Sequence, residues 1–384
     1  MLKVIVKDST YDYAVLRKDI FDMMAAIEET SSVRISAGQR VLIKPNILLS
    51  AHPDKAVTTH PLIIKAAVEY VLEKGALPQV SDSHATFTKF PKLIEDCGIA
   101  EALKGLPVEI KEFTVSKEVF SGRDGEEFTS AARYNALELS EDALAADVII
   151  NLPKLKTHTQ MGLTLAVKNL FGCVVGKRKP QWHLNLGENK ELFAGLLVEI
   201  YSVLRPEINI IDGILGMEGD GPGTSGIVRQ MGVIMGSSNA VALDMAVCRM
   251  LGVSEMSLPT NKAASDRGLA GEFTIDGEMK HIENFIVPTL TAIVFGPPFA
   301  RKLLRNNLTS HPLNIEGACK LCNECVKICP AKAIANDTKR LNFDYDKCIR
   351  CYCCLEVCPH KAIKVHQPLA LQSIRKIAKL FNSR

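Results

Sequence analysis

The cysteines of this chain are concentrated in one short segment. Of its 12 cysteines, nine lie between residues 319 and 358. They form two runs with the same spacing, Cys-x-x-Cys-x-x-Cys-x-x-x-Cys-Pro, one starting at Cys319 and the other at Cys348, and Cys353 is the one cysteine of the segment outside this pattern. Such crowding at metal-ligand spacing, in a chain whose first residues show no secretory signal, indicates thiolate ligation rather than disulfide bonds.

The doubled run resembles the cluster-binding motif of bacterial two-cluster ferredoxins. The resemblance covers about the last fifth of the chain and implies two [4Fe-4S] clusters, with the fourth cysteine of each run binding the cluster of the other run. Cys353 matches no ligand position, and we expect it to be a partly buried bystander thiol. The resemblance assigns one cluster to Cys319, Cys322, Cys325 and Cys358, and the second to Cys348, Cys351, Cys354 and Cys329.

Two further observations bear on this prediction. Cys-Pro-Ala-Lys-Ala-Ile at 329–334 recurs as Cys-Pro-His-Lys-Ala-Ile at 358–363, which is a two-fold duplication. Structural zinc sites are the competing interpretation, but zinc modules usually present two separated pairs of ligands rather than two four-cysteine runs ending in Cys-Pro. We therefore expect iron–sulfur clusters in this segment.

Upstream of the cysteines, short β-branched runs alternate with longer helical stretches. This pattern predicts an α/β fold with a largely parallel or mixed sheet and flanking helices. The predicted strands are 41–43, 79–81, 108–113, 148–150, 208–211, 231–235 and 291–295, and the predicted helices are 61–74, 190–204 and 240–251. The predicted domains are an α/β domain at 1–304, a linker at 305–314, a small α+β ferredoxin-like domain at 315–367 and a basic amphipathic C-terminal helix at 368–384.

Composition limits the classes of function. With 47% hydrophobic and 23% charged residues, the chain has the balance of a soluble globular protein. A net charge of +3 is too small to indicate nucleic-acid binding. No secretory signal and no long apolar segment is visible, so we expect a cytoplasmic location. For the helix at 368–384 we expect packing on the protein, with peripheral contact to an anionic membrane as the weaker alternative.

Polar residues that follow several predicted strands suggest a ligand site. In an open parallel sheet, ligands collect at the carboxyl ends of the strands. Lysines there can bind carboxylate or phosphate, acidic groups can orient histidines or bind a hard cation, and histidines exchange protons near neutral pH. The predicted substrate-binding residues are Lys44, Asn46, Asp82, Lys154, Lys156, Lys168, Asp212 and Glu218, and the candidate acid–base groups are His84 and His158.

Three segments at this edge are predicted as loops. Residues 151–158 and the glycine-rich 212–224 follow strands. The basic segment 177–183, which holds the only tryptophan, is expected to be an exposed loop, with a mobile flap over the crevice as the alternative. Residues 221–226 match G-x-G-x-x-G, but a strand follows them where a dinucleotide site needs a helix. The sequence therefore predicts no obvious site for NAD or ATP.

The large domain also resembles a known family. Lys-Pro-Asn at 44–46, Pro-Lys-Leu-Lys-Thr-His at 153–158, Lys-Asn-Leu-Phe-Gly at 168–172 and Asp-Gly-Ile-Leu-Gly-Met-Glu-Gly at 212–219 look like motifs of the family catalogued as domain of unknown function 362. That family often joins this domain to a ferredoxin-like segment. The resemblance implies the two-domain architecture and supplies no reaction.

Two functions are compatible with these features. In the first, the protein is an oxidoreductase that passes single electrons from the clusters to a small anionic substrate or cofactor in the α/β crevice, because covalent attachment keeps the clusters close to it. In the second, it is a non-catalytic electron carrier or cluster-assembly accessory whose large domain docks a partner protein. A third option is that the clusters only stabilise the fold. Whether the chain is an enzyme stays open at this point.

The ligand assignment predicts the metal content. Protein purified without oxygen should contain about eight irons and about eight acid-labile sulfides per chain, because two cubane clusters bind to eight thiolates. Colorimetric iron and sulfide assays against protein concentration measure this. Zinc in place of iron, with no labile sulfide, would contradict the assignment.

Overall fold

The structure is a computed structural model that describes residues 2–119, 137–176, 178–186, 189–288, 309–337 and 339–369. Within these ranges a large α/β unit is followed by a small cysteine-rich unit. None of the helices in these ranges is long and apolar enough to cross a membrane.

The large unit contains twelve strands and ten helices within the described ranges. The strands are β1 (Leu2–Asp8), β2 (Arg40–Pro45), β3 (Leu77–Asp82), β4 (Glu109–Glu112), β5 (Ser116–Val119), β6 (Leu137–Ser140), β7 (Val148–Leu152), β8 (Lys154–His158), β9 (Gly162–Thr164), β10 (Ile208–Glu218), β11 (Ile227–Ser237) and β12 (Phe273–Asp276). The helices are α1 (Tyr13–Thr30), α2 (Pro61–Glu73), α3 (Phe90–Asp96), α4 (Ile99–Ala102), α5 (Glu141–Ala145), α6 (Ala166–Asn169), α7 (Arg178–Leu186), α8 (Lys190–Leu204), α9 (Ala240–Met250) and α10 (Pro259–Ser265).

Ten of these strands form one mixed sheet. Its order is β12-β1-β11-β10-β7-β2-β3-β4, with β8 paired to β10 and β9 paired to β8. Strands β10, β7, β2, β3 and β4 run parallel to one another, whereas β11 pairs antiparallel with both β1 and β10. The structure confirms the predicted α/β fold with a mixed sheet and flanking helices.

Helices cover both faces of this sheet. Along β2, Val41 and Ile43 belong to the apolar core formed with α1 and α2, whereas Leu42 between them belongs to the core formed with α8 and α9. Successive side chains of a strand point to opposite faces, so a strand buried on both sides must be apolar at every position. Polar side chains at the carboxyl ends of such strands therefore depart from the apolar pattern and mark the edge where the sequence predicts a ligand site.

Most predicted elements agree with the structure, and two predicted loops do not. Helix 190–204 is α8, the strand at 291–295 lies outside the described residues, and the other predicted strands coincide with observed ones. However, 154–158 is strand β8, and β10 continues through 212–218. These segments pair with each other, with Asp212 opposite Lys154, and a bulge between Gly213 and Leu215 keeps the glycine-containing strand in the sheet.

The small unit repeats one backbone pattern twice. Its elements are β13 (His311–Asn314), α11 (Glu324–Ile328), β14 (Ile334–Asn336), β15 (Leu341–Phe343), α12 (Cys353–Glu356) and β16 (Ile363–His366), with β13 paired to β16 and β14 to β15. Leu321 and Asn323 have φ angles of 53° and 66°, and Arg350 and Tyr352, at the same positions of the second run, have 52° and 61°. Left-handed backbone is uncommon at such residues, so its recurrence supports the duplication.

Two predicted segments border this unit, the linker before it and the helix after it. The predicted linker 305–314 is wrong at its end, because His311–Asn314 pairs with β16 and so belongs to the small unit. The predicted C-terminal helix at 368–384 lies outside the described residues from 370 onward.

The two units meet at the loop between β10 and β11. Thr224 Oγ1 donates a hydrogen bond to the backbone oxygen of Cys358 at 2.8 Å, and Ser225 Oγ lies 3.4 Å from the backbone oxygen of Ile363. A Cβ atom on Gly223 would stand 2.3 Å from the backbone oxygen of Glu356. Glycine at 223 is therefore required for the close approach of the two backbones.

A buried aspartate holds the short helix that carries Lys168. Asp244 of α9 accepts hydrogen bonds from the backbone N–H groups of Ala166 at 2.7 Å and Val167 at 3.1 Å. The first N–H groups of a helix have no partner inside it, so this carboxylate fixes the start of α6 from a neighbouring helix.

Replacing Asp244 should destabilise the large unit. Asp244→Ala is expected to lower the free energy of unfolding by about 2–3 kcal/mol, because two buried N–H groups lose their acceptor. Denaturant or thermal unfolding measures this. Asp266→Ala is the matched control, since Asp266 makes only an exposed helical ion pair with Lys262 and should change little. Equal losses in the two variants would contradict the role of Asp244.

Candidate functional site

A cavity of about 790 Å³ lies between the polar edge of the sheet and the small unit. The large unit contributes residues after β2 and β3, the side chains of β8, the turn after α6, and α7. The small unit closes the opposite side with α11, the Cys329-Pro330 turn and α12. Neither unit alone encloses this space.

The structure brings six of the ten predicted site residues to this cavity. They come from four separate parts of the large unit, which meet at this cavity. These residues are Asn46, Asp82, His84, Lys156, His158 and Lys168.

The other four predicted residues lie outside the cavity lining, in ion pairs. Lys44 is fully buried with its Nζ 2.9 Å from Asp82 Oδ1. Lys154 and Asp212 are also fully buried and are 2.7 Å apart. Glu218 pairs with Arg229 at 2.8 Å. These residues stabilise the strands behind the cavity and do not face a ligand.

Sequence reasoning missed several residues of the cavity. Segment 177–183 is not an exposed loop in its described part, because α7 starts at Arg178 and packs beside the cavity. Its Lys179 donates a hydrogen bond to the backbone oxygen of Ser83, and its His183 is buried. Glu356 enters from the small unit. The basic run around the single tryptophan was a usable signal for α7, whereas Glu356 is hidden inside the cysteine run.

Lys156 is the most deeply buried cation that reaches the cavity. Its Nζ donates to Asn46 Oδ1 at 2.7 Å and to the backbone oxygen of Val57. Both acceptors are neutral, so they offset only part of the cost of burying a charge. Burial therefore lowers the pKa of Lys156 to about 7, although the Glu356 carboxylate acts in the opposite direction. Near neutral pH this lysine can both hold and release a proton.

His158 is fixed by hydrogen bonds on one side and by an acid on the other. Its Nδ1 accepts from the backbone N–H groups of Gln160 at 3.1 Å and Met161 at 3.3 Å. The proton of the neutral ring must then be on Nε2, which lies 3.1 Å from Glu356 Oε1. Burial lowers the pKa of His158 to about 4, so the ring is neutral at pH 7.

Glu356 is the carboxylate that the small unit inserts among these cations. Burial alone would raise its pKa, but the neighbouring His158 and Lys168 outweigh burial and lower the pKa to about 2. Glu356 is therefore charged under all ordinary conditions. It links the small unit to the large one by electrostatic attraction in a site largely shielded from water.

Lys168 differs from the other lysines in its contacts. Its ammonium lies 5.8 Å from the ring centroid of Phe171 and 6.0 Å from that of Phe193. In the part of the chain that the structure describes, no side chain or carbonyl forms a hydrogen bond or ion pair with it. Burial lowers the pKa of Lys168, and the charge is left facing the cavity.

His84 is held at the cavity wall by two contacts. Its Nε2 lies 2.8 Å from the backbone oxygen of Thr88, and its Nδ1 lies 3.2 Å from Glu112 Oε1. The Nδ1 atom of His84 forms no hydrogen bond among the described residues, so its contact with Glu112 is a close approach only.

The clustered cysteines form two neighbouring groups. Burial, with the charges of Cys358, Cys322 and Cys319, raises the pKa of Cys325 to about 12, and these four thiols line one small cavity. Burial, with the charges of Cys351 and Cys329, raises the pKa of Cys348 to about 11. Cys351 and Cys348 likewise raise the pKa of Cys354. Each group thus combines three cysteines of one run with the fourth of the other, a donor set that fits an iron–sulfur cluster.

No single-ion site accompanies these groups. Among the described residues, no three His, Cys, Asp or Glu side chains are arranged to hold one metal ion. In a cubane cluster each thiolate binds a different iron, so the thiols need not converge on one point.

The second cysteine group borders the large cavity. Cys329 lines the cavity wall together with Cys353. Cys353 is buried on α12, more deeply than the partly buried thiol that the sequence predicts. The first group includes Cys322, which is exposed on the outer side. The small unit therefore presents one cysteine group to solvent and the other to the cavity.

These features define an iron–sulfur protein in which a ferredoxin-like unit closes a cavity of an α/β unit. The chain belongs to the family described as Domain of unknown function (DUF362), whose model matches residues 41–249. A 4Fe-4S dicluster domain model matches residues 311–359. A thylakoid-associated protein from Synechocystis sp. is 36% identical over 273 residues, which cover 69% of this chain and 81% of that protein.

Two solved structures match part of this chain at low similarity. A Thermotoga maritima protein is 12% identical with a TM-score of 0.34, and the match covers 55% of this chain and 52% of that one. The lactate racemase apoprotein from Thermoanaerobacterium thermosaccharolyticum is 14% identical with a TM-score of 0.36, covering 62% and 54%. The chain spans about half the length of each of these structures.

The placement of Lys154 predicts a structural effect. Lys154→Met should lower the free energy of unfolding by about 3–5 kcal/mol, because it leaves the Asp212 carboxylate buried without its cation. Thermal unfolding measures this, and the double variant Lys154→Met with Asp212→Asn should recover part of the loss. Lys168→Met is the control, since no described partner loses a bond. A Lys154→Met protein as stable as the parent would contradict this account.

Proposed function

We propose that this protein is an oxidoreductase that transfers single electrons to a small anionic substrate or cofactor bound in the cavity between its two units. One observation carries the proposal. The same cavity is lined by Lys156, Lys168 and Lys179 on one side and by Cys329 of the ferredoxin-like unit on the other. An anion held by the lysines lies next to a cysteine that the sequence assigns to a cluster.

The cysteine groups support two [4Fe-4S] clusters. We propose that Cys319, Cys322, Cys325 and Cys358 hold one, and that Cys348, Cys351, Cys354 and Cys329 hold the other. Clusters at these positions supply single electrons. Cys322 is exposed and Cys329 borders the cavity, so a cluster held by the first group would face a redox partner protein and one held by the second would face the cavity.

Lys156 is the group we propose as proton donor. Reduction of an organic anion consumes protons as well as electrons, and a donor works best when its pKa is close to the working pH. The pKa of Lys156 is about 7. The sequence candidates His158 and His84 suit this role less well, because the Nε2 of His158 lies 3.1 Å from Glu356 Oε1 and the Nε2 of His84 lies 2.8 Å from the backbone oxygen of Thr88. We propose that these histidines position neighbouring groups.

A non-catalytic electron carrier is the second candidate. The exposed side of the first cysteine group would suit exchange with other proteins, and the chain has no nicotinamide or flavin motif. In that case the cavity would not bind an electron acceptor. The two candidates differ in which fraction of a cell extract accepts electrons.

Reoxidation of the reduced protein tests the proposal. Cluster-loaded protein is reduced with dithionite, freed of excess reductant without oxygen, and mixed with the small-molecule fraction of a cell extract while the cluster absorbance is followed. We expect reoxidation, and we expect Lys156→Met to slow it by at least about tenfold with the cluster content unchanged, because the proton donor is removed.

The control variant for this experiment is Lys104→Met. Lys104 has a 76% exposed side chain and is not among the lining residues, so the variant should not affect reoxidation. If only the protein fraction of the extract accepts electrons, the carrier function is correct and the oxidoreductase proposal fails. Mass spectrometry of the small-molecule fraction before and after the reaction identifies the acceptor.

The location of the protein is part of the proposal. We propose a cytoplasmic protein, and the Synechocystis relative named as thylakoid-associated makes peripheral membrane contact the alternative. Fractionation of cells into supernatant and membranes, followed by immunoblotting, distinguishes the two.

A further inference from the structure

The inner end of the cavity presents polar groups without partners. The Lys168 ammonium has no hydrogen bond or ion pair within the described ranges, as noted above. His183 is 5% exposed, and its Nδ1 has no hydrogen-bond partner among the residues that the structure describes. Both lie against the same pair of rings, with His183 5.8 Å from Phe171 and 4.6 Å from Phe193 between ring centroids. Buried polar groups normally have partners, so this end of the cavity is suited to a ligand.

Charge at this end favours an anion with a single acidic head. Asp82 is already paired with Lys44, and Glu356 faces His158. Five lysines but only three carboxylates, Asp82, Glu112 and Glu356, line the described part of the cavity wall, and the positive charge of Lys168 is not balanced by a contact. A neutral His183 can present an N–H at Nδ1. A carboxylate accepts hydrogen bonds from an ammonium and an imidazole N–H together.

Part of the cavity wall is apolar. Leu48, Phe171 and Ile328 form part of its wall. Two large apolar side chains at the same cavity, Phe87 and Leu184, are 51% and 44% exposed. Leaving such side chains in water is unfavourable, and covering them releases about 25 cal/mol per Å² of buried apolar surface. These side chains therefore favour a ligand with an apolar body.

The size of the cavity agrees with such a ligand. A volume of about 790 Å³ lies in the upper part of the range of roughly 300–1,000 Å³ typical for sites that bind drug-sized molecules. A compact anion such as phosphate or acetate would fill only a small part of it and would leave Phe87 and Leu184 uncovered.

We infer that the ligand of this cavity is an organic acid with an apolar, ring-sized body, its carboxylate bound by Lys168 and His183 and its body packed on Phe171, Leu184 and Phe87. The inference rests on the proposed function in that it concerns the same cavity, and it adds the chemical class of the substrate. Such a ligand differs from a small hydroxy acid or inorganic phosphate, which have no apolar ring.

Binding of matched probes tests the inference. Isothermal titration calorimetry with oxidised, cluster-loaded protein compares 2-naphthoate, the uncharged 2-naphthylmethanol, acetate and inorganic phosphate. We expect 2-naphthoate to bind at least about tenfold more tightly than each of the other three, because only it satisfies both the cation and the apolar wall. Phosphate or acetate binding as tightly as 2-naphthoate, equal binding of the acid and the alcohol, or no binding of any probe would overturn the inference.

Two variants test the binding of the carboxylate and the packing of the apolar ring separately. Lys168→Met should weaken the binding of 2-naphthoate by about tenfold or more and leave the binding of 2-naphthylmethanol unchanged. The substitution removes the charge and keeps the length of the side chain. Leu184→Asp, at an exposed position that tolerates a charge, should weaken both aromatic probes. Lys104→Met should change neither. Equal loss of acid and alcohol in Lys168→Met would contradict the carboxylate site.

These outcomes are independent of electron transfer. If 2-naphthoate does not bind but a compact anion from the extract reoxidises the reduced protein, the substrate class is wrong and the oxidoreductase function stands. If 2-naphthoate binds as expected but no small-molecule fraction accepts electrons, the binding class stands and the oxidoreductase function fails. Cluster absorbance and the unfolding temperature of each variant show whether it is folded.

Discussion

Burial of positive charge is the constraint that orders the structure around the cavity. Removing an ammonium group from water costs several kcal/mol unless a partner offsets the loss. Lys44 has Asp82, and Lys154 has Asp212 together with the hydroxyl of Tyr11. These pairs connect strands and loops that are distant in sequence, so they fix the sheet edge while they neutralise it. Lys156 has only neutral acceptors, and Lys168 has none among the described groups. Lysines with a charged partner thus have a structural role, whereas the lysines without one face the cavity.

The small unit completes this arrangement because it supplies an acid. Glu356 lies on the short helix between two cluster-type cysteines and reaches His158 of the large unit. Its seating depends on the β10–β11 loop, where Gly223 allows close backbone contact and Thr224 bonds to Cys358. The attraction between Glu356 and the cations is strong because water is largely excluded there. One carboxylate therefore contributes both to domain docking and to the electrostatic balance of the cavity.

Sequence patterns predicted the fold better than the details of the site. The cysteine spacing predicted the small unit, and the alternation of apolar runs predicted the sheet, because both signals depend on local periodicity. The side chains of Lys154, Lys156 and His158 share one face of β8, since every second residue does. Their partners differ because β8 lies beside β10, which places Asp212 opposite Lys154. No local sequence pattern encodes this strand pairing. Glu356 and His183 come to the cavity only through tertiary packing, and Pro180 within α7 obscured the helical pattern of that segment.

The shared wall of the cavity has a consequence for the cell. Cys329, Cys353 and Glu356 form part of that wall, and they belong to a segment whose conformation depends on the metal that its thiolates bind. A chain that has not received its clusters would lack a properly shaped wall, so ligand affinity and cluster insertion strengthen each other by the same factor. A ligand of the cavity would then bind less tightly to chains that lack clusters, and it would in turn protect the clusters of mature chains from loss.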